Sequence, residues 1–323
     1  MNSKRRRILG GALGMSLIGG TAFGQARRVY PDRPVTIYVP APPGGVLDGA
    51  TRQIADHLRG AWGQPVIVET RLGAAGSVAA AALAKLPPDG QTLLTAGTGI
   101  INNLLSPVRP GYRLEDLAPV CMNILIPSGF GVRATLGVKT LGEFIAMARA
   151  NPGKLTIGVP GVGSGSHVAA ELLCQTAGIN CLMVQYKGEA PAMLDVMSGT
   201  IDAMSGSLGG VVQQPGKIIP LGLTNPSRHP NYPEVPTFGE AGYEEANLPG
   251  WAGIFAPANT PRDVIEKIAG EIGRAVALPA ISAKLLAGGS MPSGVGPDKL
   301  AEIIQNHLRV VRRLVDSGKI SFT

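Results

Sequence analysis

One unit recurs along this chain of 323 residues: a short apolar strand, a loop rich in glycine, proline or hydroxyl residues, and an amphipathic helix. In the first copy, the strand PVTIYV precedes the loop PAPPGG and a helix with Leu47, Ile54 and Leu58 on one face. The later copies begin with the strands QTLLTA, KLTIGV, CLMVQY and TIDAM. Strands that alternate with helices predict an α/β architecture with a parallel, doubly wound sheet. In such sheets, the loops after the strands line the crevice where a ligand binds.

The start of the chain has the pattern of an export signal. A basic KRRR precedes the apolar run ILGGALGMSLIGG and the small residues AFG. The apolar run is too short to cross a bilayer and stay there. We expect a signal peptide over residues 1–26, and its adjacent arginines fit both the general and the twin-arginine route.

Without this segment, the chain is nearly neutral and long enough for two domains. Four of the 29 Lys and Arg residues lie in the signal, which leaves 25 against 22 Asp and Glu, a net charge of about +3. This small excess argues against nucleic acid as a partner. The remaining residues, about 300, suffice for two domains that each bury a core.

The loop PAPPGG after the first strand is predicted to hold an anion. Its prolines, Pro43 among them, fix the backbone and donate no hydrogen bonds, whereas Gly44 and Gly45 offer bare N–H groups. These groups precede a helix whose N-terminus carries partial positive charge, so a carboxylate fits there. The alternative is a plain tight turn in which Asp48 caps the helix.

A second polar loop, PGVGSGSH, follows the strand KLTIGV. Gly163 frees the backbone, while Ser164 and Ser166 add hydroxyl donors beside a helix start, which can hold an anion without covalent chemistry. The alternative is a serine N-cap with flexible glycines. His167 could reach a ligand, or it could make a structural hydrogen bond within the loop.

Three further loops contribute candidate residues. Thr98 and Gly99 follow the strand QTLLTA, Lys187 and Gly188 follow CLMVQY, and Ser205 follows TIDAM. We expect these five residues to line the same crevice. Lys187 could equally be a solvated surface charge.

The cysteines permit one disulfide. Cys174 and Cys181 bracket QTAGIN, a segment typical of a turn after a helix, and in an exported protein these two could pair. Three separate buried thiols, with Cys121 the third, remain the alternative. Clustered Cys and His residues, which a zinc site requires, do not occur in the sequence.

Enzyme motifs are not recognisable in the sequence. The segment GVGSGS lacks the last glycine of the dinucleotide fingerprint, and no G-x-S-x-G elbow occurs. The four histidines show no pairing with a nucleophile, and the carboxylates are scattered. We therefore expect an exported α/β binding protein without a cofactor.

Several stretches together resemble the extracytoplasmic solute receptors of the tripartite tricarboxylate transporter family, also called the Bug family. Each is weak alone, but their order along nearly the whole mature chain is specific. They are YPDRPVTIYVPAPPGG, GQPVIVETRLGAAGSVAAAALAKLPPDGQTLL, LGEFIAMARANPGKLTIGVPGVGSGSH, VQYKGEAPAMLDVMSGTIDAM, YPEVPTFGEAGY and WAGIFAPANTP.

The resemblance implies a type II periplasmic binding protein, with two doubly wound lobes joined by a hinge in a Venus-flytrap arrangement. Lobe one would comprise residues 27–125 and 253–323, and lobe two residues 126–252. The ligand would be a small carboxylate, gripped by backbone N–H groups, hydroxyls and ordered waters. The receptor would be a periplasmic monomer that serves a membrane permease or a membrane sensor. The alternative function is an exported hydrolase or transferase that acts on a small carboxylate on the same scaffold.

Two departures from the family pattern concern the predicted crevice. Relatives commonly carry Phe before the Pro-Pro-Gly-Gly turn, where this chain has Ala41 within PAPPGG. Relatives often place FDN after the strand that ends at Met204, where this chain has Ser205-Gly206-Ser207. The missing carboxylate argues against a ligand that carries an ammonium group, and hence against an amino acid.

Overall fold

The computed structural model describes residues 30–318 and residue 320. The predicted signal peptide, residues 1–26, lies outside the described residues. Over the part of the chain that the structure describes, no helix combines the length and apolar character that a membrane span requires.

Two β-sheets form the framework, and each is the centre of one lobe. The first sheet has the strand order β11-β4-β10-β3-β1-β2, and the second has the order β7-β6-β8-β5-β9. The strands of the first sheet are β1 (Val35–Val39), β2 (Val66–Thr70), β3 (Thr92–Gly97), β4 (Leu117–Ile126), β10 (Gly250–Pro257) and β11 (Met291–Val295). Those of the second are β5 (Ser128–Arg133), β6 (Thr156–Val159), β7 (Leu182–Gln185), β8 (Ala203–Ser207) and β9 (Ile218–Leu223).

The helices follow the strands as the recurring unit predicts. They are α1 (Val46–Trp62), α2 (Ser77–Leu83), α3 (Gly99–Asn102), α4 (Leu141–Ala150), α5 (Gly165–Ala177), α6 (Glu189–Ser198), α7 (Leu208–Val212), α8 (Arg262–Ala277), α9 (Pro279–Ala287) and α10 (Pro297–Asp316). The five predicted units are β1–α1, β3–α3, β6–α5, β7–α6 and β8–α7. The predicted α/β fold class is confirmed.

The predicted parallel pairing holds for part of each sheet, and both sheets are mixed. β1 runs parallel to β2 and β3, and β6 runs parallel to β7 and β8. In contrast, β10 is antiparallel to β3 and β4, and β5 is antiparallel to β8 and β9. These antiparallel strands begin or end where the chain changes sheet, and Pro127 alone separates β4 from β5. Both β5 and β10 enter their sheet from the other sheet, whereas parallel pairing of consecutive strands requires a crossover connection within one sheet.

The chain changes sheet twice among the described residues. It enters the second sheet after Ile126 and re-enters the first sheet at Gly250. The division into lobes after residues 125 and 252 stays a prediction.

Helix α10 belongs to the cores of both lobes. Leu300 and Ile304, in its first half, pack in a cluster with the first sheet. Val311 and Leu314, in its second half, pack in the cluster of the second sheet. The helix therefore joins the lobes on one side by continuous apolar packing.

Candidate ligand-binding site

A cleft with a volume of about 840 Å³ lies between the two lobes. This volume falls within the range of small-molecule sites. Its wall in lobe one includes the loop between β1 and α1, and its wall in lobe two includes the starts of α5 and α6. The carboxyl ends of strands from both sheets therefore face one space, as the arrangement of parallel strand–helix units predicts.

Three helices begin at this cleft. The N-cap residues of α1, α5 and α6 are Gly45, Ser164 and Gly188, and all three line it. The first N–H groups of a helix have no acceptor within the helix, and the helix dipole makes this end partially positive. Two walls thus present amides and partial positive charge to the same space, which suits an anionic group.

The loop before α1 differs from the prediction in one respect. Gly44 donates its N–H to Asp48 Oδ2 at 2.9 Å, and Gly45 donates to the carbonyl of Pro42 at 3.2 Å. The prediction that these two amides are bare is therefore wrong, although both residues line the cleft. The available amides are the next two, of Val46 and Leu47, which form the first turn of α1 and also line the cleft.

Asp48 stabilises this loop rather than capping the helix by its side chain. Burial disfavours the charged form, but hydrogen bonds from Arg52 and from the Gly44 N–H outweigh this effect and lower the pKa of Asp48. Arg52 also forms an ion pair with Asp48 at 2.9 Å. The φ of Gly44 is +82°, a conformation that favours glycine, so the turn depends on both this glycine and the buried carboxylate.

The N-cap and the first turn of α5 contain residues that hold the local structure and a residue that faces the cleft. Ser164 accepts a hydrogen bond from the His167 N–H at 3.1 Å, which is the geometry of an N-cap. His167 is buried, and its Nδ1 accepts from the Gly163 N–H at 3.2 Å. Ser166 faces the cleft, with its Oγ 3.4 Å from Ser128 Oγ. His167 thus holds the loop, whereas Ser166 is placed to meet a ligand.

The cleft brings together most of the residues singled out in the sequence. Those that line it are Pro43, Gly44, Gly45, Thr98, Gly99, Ser164, Ser166 and Gly188. Those outside its wall are Gly163, His167, Lys187 and Ser205. Ser205 is buried within β8, where it pairs with Phe130 of β5, and Lys187 is exposed to solvent.

The lobes touch on two sides of the cleft. On one side, Asn102 donates from Nδ2 to the carbonyl of Gly163 at 2.8 Å, and a Cβ at Gly165 would lie 2.8 Å from Thr98 Oγ1. On the other side, Gly209 of α7 packs against the backbone of Gly288, which follows α9. The lobes are therefore closed around the cleft.

Comparison with known proteins assigns the family. The model of the tripartite tricarboxylate transporter family receptor, TctC, matches residues 50–319. The chain belongs to this family. The receptor is 34% identical over 322 residues to the UPF0065 protein in the tcbD-tcbE intergenic region of a Pseudomonas species, with 97% of this chain and 94% of that protein covered. It is 32% identical over 302 residues to BugT of Bordetella pertussis, with 91% and 93% covered.

Solved structures of similar fold include receptors with bound acids. R. palustris Rpa4515 with adipate has a TM-score of 0.83 and 29% identity, covering 90% of this chain and 99% of that chain. MatC of Rhodopseudomonas palustris with bound malate has a TM-score of 0.79 and 28% identity, covering 88% and 100%. The periplasmic binding protein BugD has a TM-score of 0.80 and 27% identity, covering 90% and 100%. The predicted family, the two-lobed fold and the solute-binding function are confirmed.

The receptor's cleft also includes residues that sequence reasoning missed. Lys284 lies in α9, and Gly288 and Ser290 lie in the turn between α9 and β11, a segment that does not have the strand–loop–helix pattern. Trp251 lies on β10, next to the passage between the sheets. In the part of the chain described here, the indole nitrogen of Trp251 and the hydroxyl of Ser290 are buried without a hydrogen-bond partner. Buried polar atoms normally have partners, so these two atoms suit a polar ligand or a bridging water.

Glu189 supplies a carboxylate that the sequence reasoning did not expect in the cleft. Its Oε1 accepts from the Ser207 N–H at 2.7 Å, and the Ser207 hydroxyl lies 2.9 and 3.0 Å from the two carboxylate oxygens. Burial raises the pKa of Glu189, and the hydrogen bonds from Ser207 partly oppose this effect. The premise of the argument against an ammonium-bearing ligand, that this segment lacks a carboxylate, is therefore wrong, because Glu189 places one beside Ser207.

A buried hydrogen-bonded chain connects α10 to the loop before α5. The His307 ring nitrogen Nε2 lies 2.8 Å from Asn102 Oδ1, and Asn102 donates in turn to Gly163. Burial lowers the pKa of His307 to about 4, so this side chain is neutral at pH 7 and donates from Nε2. The ring also contacts the Trp251 ring edge-on, at 6.1 Å between centroids.

The two cysteines that could pair lie side by side in lobe two. Cys174 is in the last turns of α5, and Cys181 precedes β7. Both are free thiols in the structure, and they share a hydrogen bond that lowers the pKa of Cys181. Cys121 is buried in the first sheet. A disulfide between Cys174 and Cys181 stays a prediction.

Proposed function

We propose that this receptor captures a small carboxylate between its lobes and closes over it, without chemical turnover. The observation that carries the proposal is the convergence of three helix N-termini, from α1, α5 and α6, on one cleft of about 840 Å³. The adipate-bound and malate-bound relatives, which share the fold over nearly the whole chain, support a carboxylate as the ligand.

The proposed binding site combines hydrogen-bond donors from both lobes. Lobe one contributes the amides of Val46 and Leu47, and lobe two contributes the start of α5 with the Ser166 hydroxyl. Hydrogen bonds from neutral donors to a carboxylate are charge-assisted, and they strengthen when closure excludes water. The ligand therefore binds the closed form better than the open form and shifts the hinge equilibrium toward closure.

The proposed setting is the periplasm. Residues 1–26 would direct export, and the mature monomer would present its closed form to a membrane permease of the tripartite tricarboxylate type or to a membrane sensor. The binding groups are amides and hydroxyls, which hold a carboxylate without a metal or organic cofactor. Nucleic acid is not a partner, because the mature chain has only about three excess positive charges.

A thermal-shift screen of the periplasmic form tests this proposal. The panel contains dicarboxylates of three to eight carbons and the matched ω-hydroxy and ω-amino monocarboxylates. A ligand that binds only the native state stabilises it by RT ln(1 + L/Kd), where L is the free ligand concentration, so the melting temperature rises with ligand concentration and with affinity. Each hit is measured by calorimetry and then incubated with the protein for hours and analysed by NMR. Unchanged ligand supports a receptor, whereas consumption supports the exported hydrolase or transferase.

A further inference from the structure

We propose that Glu189 determines the class of carboxylate that this receptor accepts. The inference rests on the proposed function and adds a direction of selectivity. The preferred ligand is a monocarboxylate that carries a hydrogen-bond donor, such as a hydroxyl or an ammonium group, at its far end. Such an acid binds better than a dicarboxylate of the same length. Glu189 begins α6, is half-buried, and lines the cleft.

The first argument is that Glu189 already occupies a set of anion-binding donors. Ser207 ends β8 and is the N-cap of α7, so its N–H and hydroxyl lie at the carboxyl end of a central strand. Both groups lie within 3.0 Å of the Glu189 carboxylate. A second carboxylate on the ligand would have to compete with Glu189 for these donors.

The second argument concerns space. A Cβ at Gly206 would lie 2.5 Å from Glu189 Oε1, and a Cβ at Gly210 would overlap the same oxygen. Neither glycine has a positive φ, so the backbone does not require glycine at either position. The absence of side chains at Gly206 and Gly210 instead makes room for the carboxylate. The Glu189 carboxylate thus occupies space that the glycines at positions 206 and 210 leave open.

The third argument is electrostatic. Two charged side chains occur among the described residues of the cleft wall: Glu189 in lobe two and Lys284 in lobe one. Within residues 30–318, no Lys or Arg forms an ion pair with Glu189. An acid without a counter-charge repels a second carboxylate and attracts a donor or a cation. A ligand that carries one carboxylate and one hydrogen-bond donor can place its donor at Glu189 and its carboxylate away from Glu189.

Matched ligand pairs on two proteins test the inference. The probes are adipate against 6-hydroxyhexanoate and 6-aminohexanoate, succinate against 4-hydroxybutanoate and 4-aminobutanoate, and the corresponding pairs at the other lengths in the screen. Calorimetry measures each on the native chain and on Glu189→Gln, which keeps the size of the side chain and removes its charge. We expect at least one donor-bearing acid to bind the native chain at least tenfold more tightly than its dicarboxylate. In Glu189→Gln we expect this ratio to fall at least tenfold.

Two further variants distinguish a change in ligand selectivity from an effect of the Glu189→Gln substitution on folding. Gly206→Ala pushes the Glu189 carboxylate off Ser207 and should shift the ratio in the same direction as Glu189→Gln. Glu234→Gln removes the same charge from an exposed position of lobe two outside the cleft wall and should leave the ratio unchanged.

Tighter binding of the dicarboxylates by the native chain, or a ratio that Glu189→Gln and Gly206→Ala leave unchanged, would overturn the inference while keeping the proposed function. If no carboxylate in the whole panel binds any of these proteins, the proposed function fails, and the inference fails with it.

Discussion

At the residue scale, the hydroxyl of Ser166 is the polar side-chain group best placed to contact a ligand from lobe two. It lines the cleft in the first turn of α5, and its Oγ lies 3.4 Å from Ser128 Oγ. A hydroxyl rotates freely and can donate to a carboxylate without a change in the backbone.

Ser166→Ala should therefore weaken carboxylate binding by about 1 to 3 kcal/mol, because a hydrogen bond to a charged oxygen is lost. Calorimetry with the tightest acid from the screen measures the change. Ser198→Ala, at an exposed serine outside the cleft wall, is the matched control and should have no effect. A loss below about 0.3 kcal/mol would show that Ser166 contributes only to the local structure.

His307 predicts a pH dependence of stability. Its pKa is about 4 in the folded protein and near 6.5 in an unfolded chain. Between these values the unfolded chain binds a proton that the native state does not. The free energy of unfolding should therefore decrease from pH 6.5 to pH 4, by about 3 kcal/mol from this group. Urea denaturation between pH 7 and pH 4 measures the slope.

The control for this prediction is His307→Gln, which retains a donor but does not titrate. The variant should lose less stability on acidification than the native chain does, by about the same 3 kcal/mol. Equal slopes in both proteins would mean that His307 titrates normally in the folded state.

At the element scale, the turn between α5 and β7 is where the exported form can acquire a covalent link. Cys174 and Cys181 lie at the two ends of this turn, and a hydrogen bond between their thiols lowers the pKa of Cys181. The proposed setting, the periplasm, is oxidising, so we expect these two thiols to form a disulfide there.

Thiol counting tests this expectation. Protein purified from the periplasm, denatured without reductant, should show one reactive thiol, from Cys121, and three after reduction. Cys174→Ala should show two in both conditions. A disulfide across so short a turn stabilises the fold by about 2 kcal/mol, so reduction should also lower the urea midpoint. Three thiols without reductant would contradict the pairing.

At the scale of the whole molecule, closure depends on backbone contacts that have no room for a side chain. Gly209 in α7 and Gly288 after α9 belong to different lobes and pack backbone to backbone. Gly209 has no positive φ, and alanine favours a helix over glycine. A substitution to alanine is therefore compatible with α7 itself, and its cost arises only where the lobes meet.

Gly209→Ala should hold the lobes apart and reduce ligand affinity at least tenfold, since the ligand must then also drive an obstructed closure. Small-angle scattering with and without ligand should show a smaller compaction than in the native chain. The control is Gly142→Ala in α4, where nothing lies within 4 Å of the added Cβ. Affinity and compaction equal to those of the native chain would contradict the role of this contact.

Local patterns were sufficient to predict the strands and helices that carry the cleft. The strands β1 and β6 are apolar and largely buried, and the helices α1 and α6 each bury one face, which leaves patterns that can be read within about twenty residues. The family motifs added the two-lobed arrangement, and the glycine and serine loops indicated eight residues of the cleft wall.

The sequence by itself therefore determined the class of fold, the receptor family and most of the loops that line the cleft. Only the tertiary structure decided which donors are free, because Asp48 occupies the Gly44 amide and Glu189 occupies Ser207. It also decided that Lys284 and Ser290, from a distant part of the chain, complete the wall. The physical reason is that periodicity records how each element buries its own face. The partners of a polar group in a cleft depend on which elements pack together, and no local pattern encodes that packing.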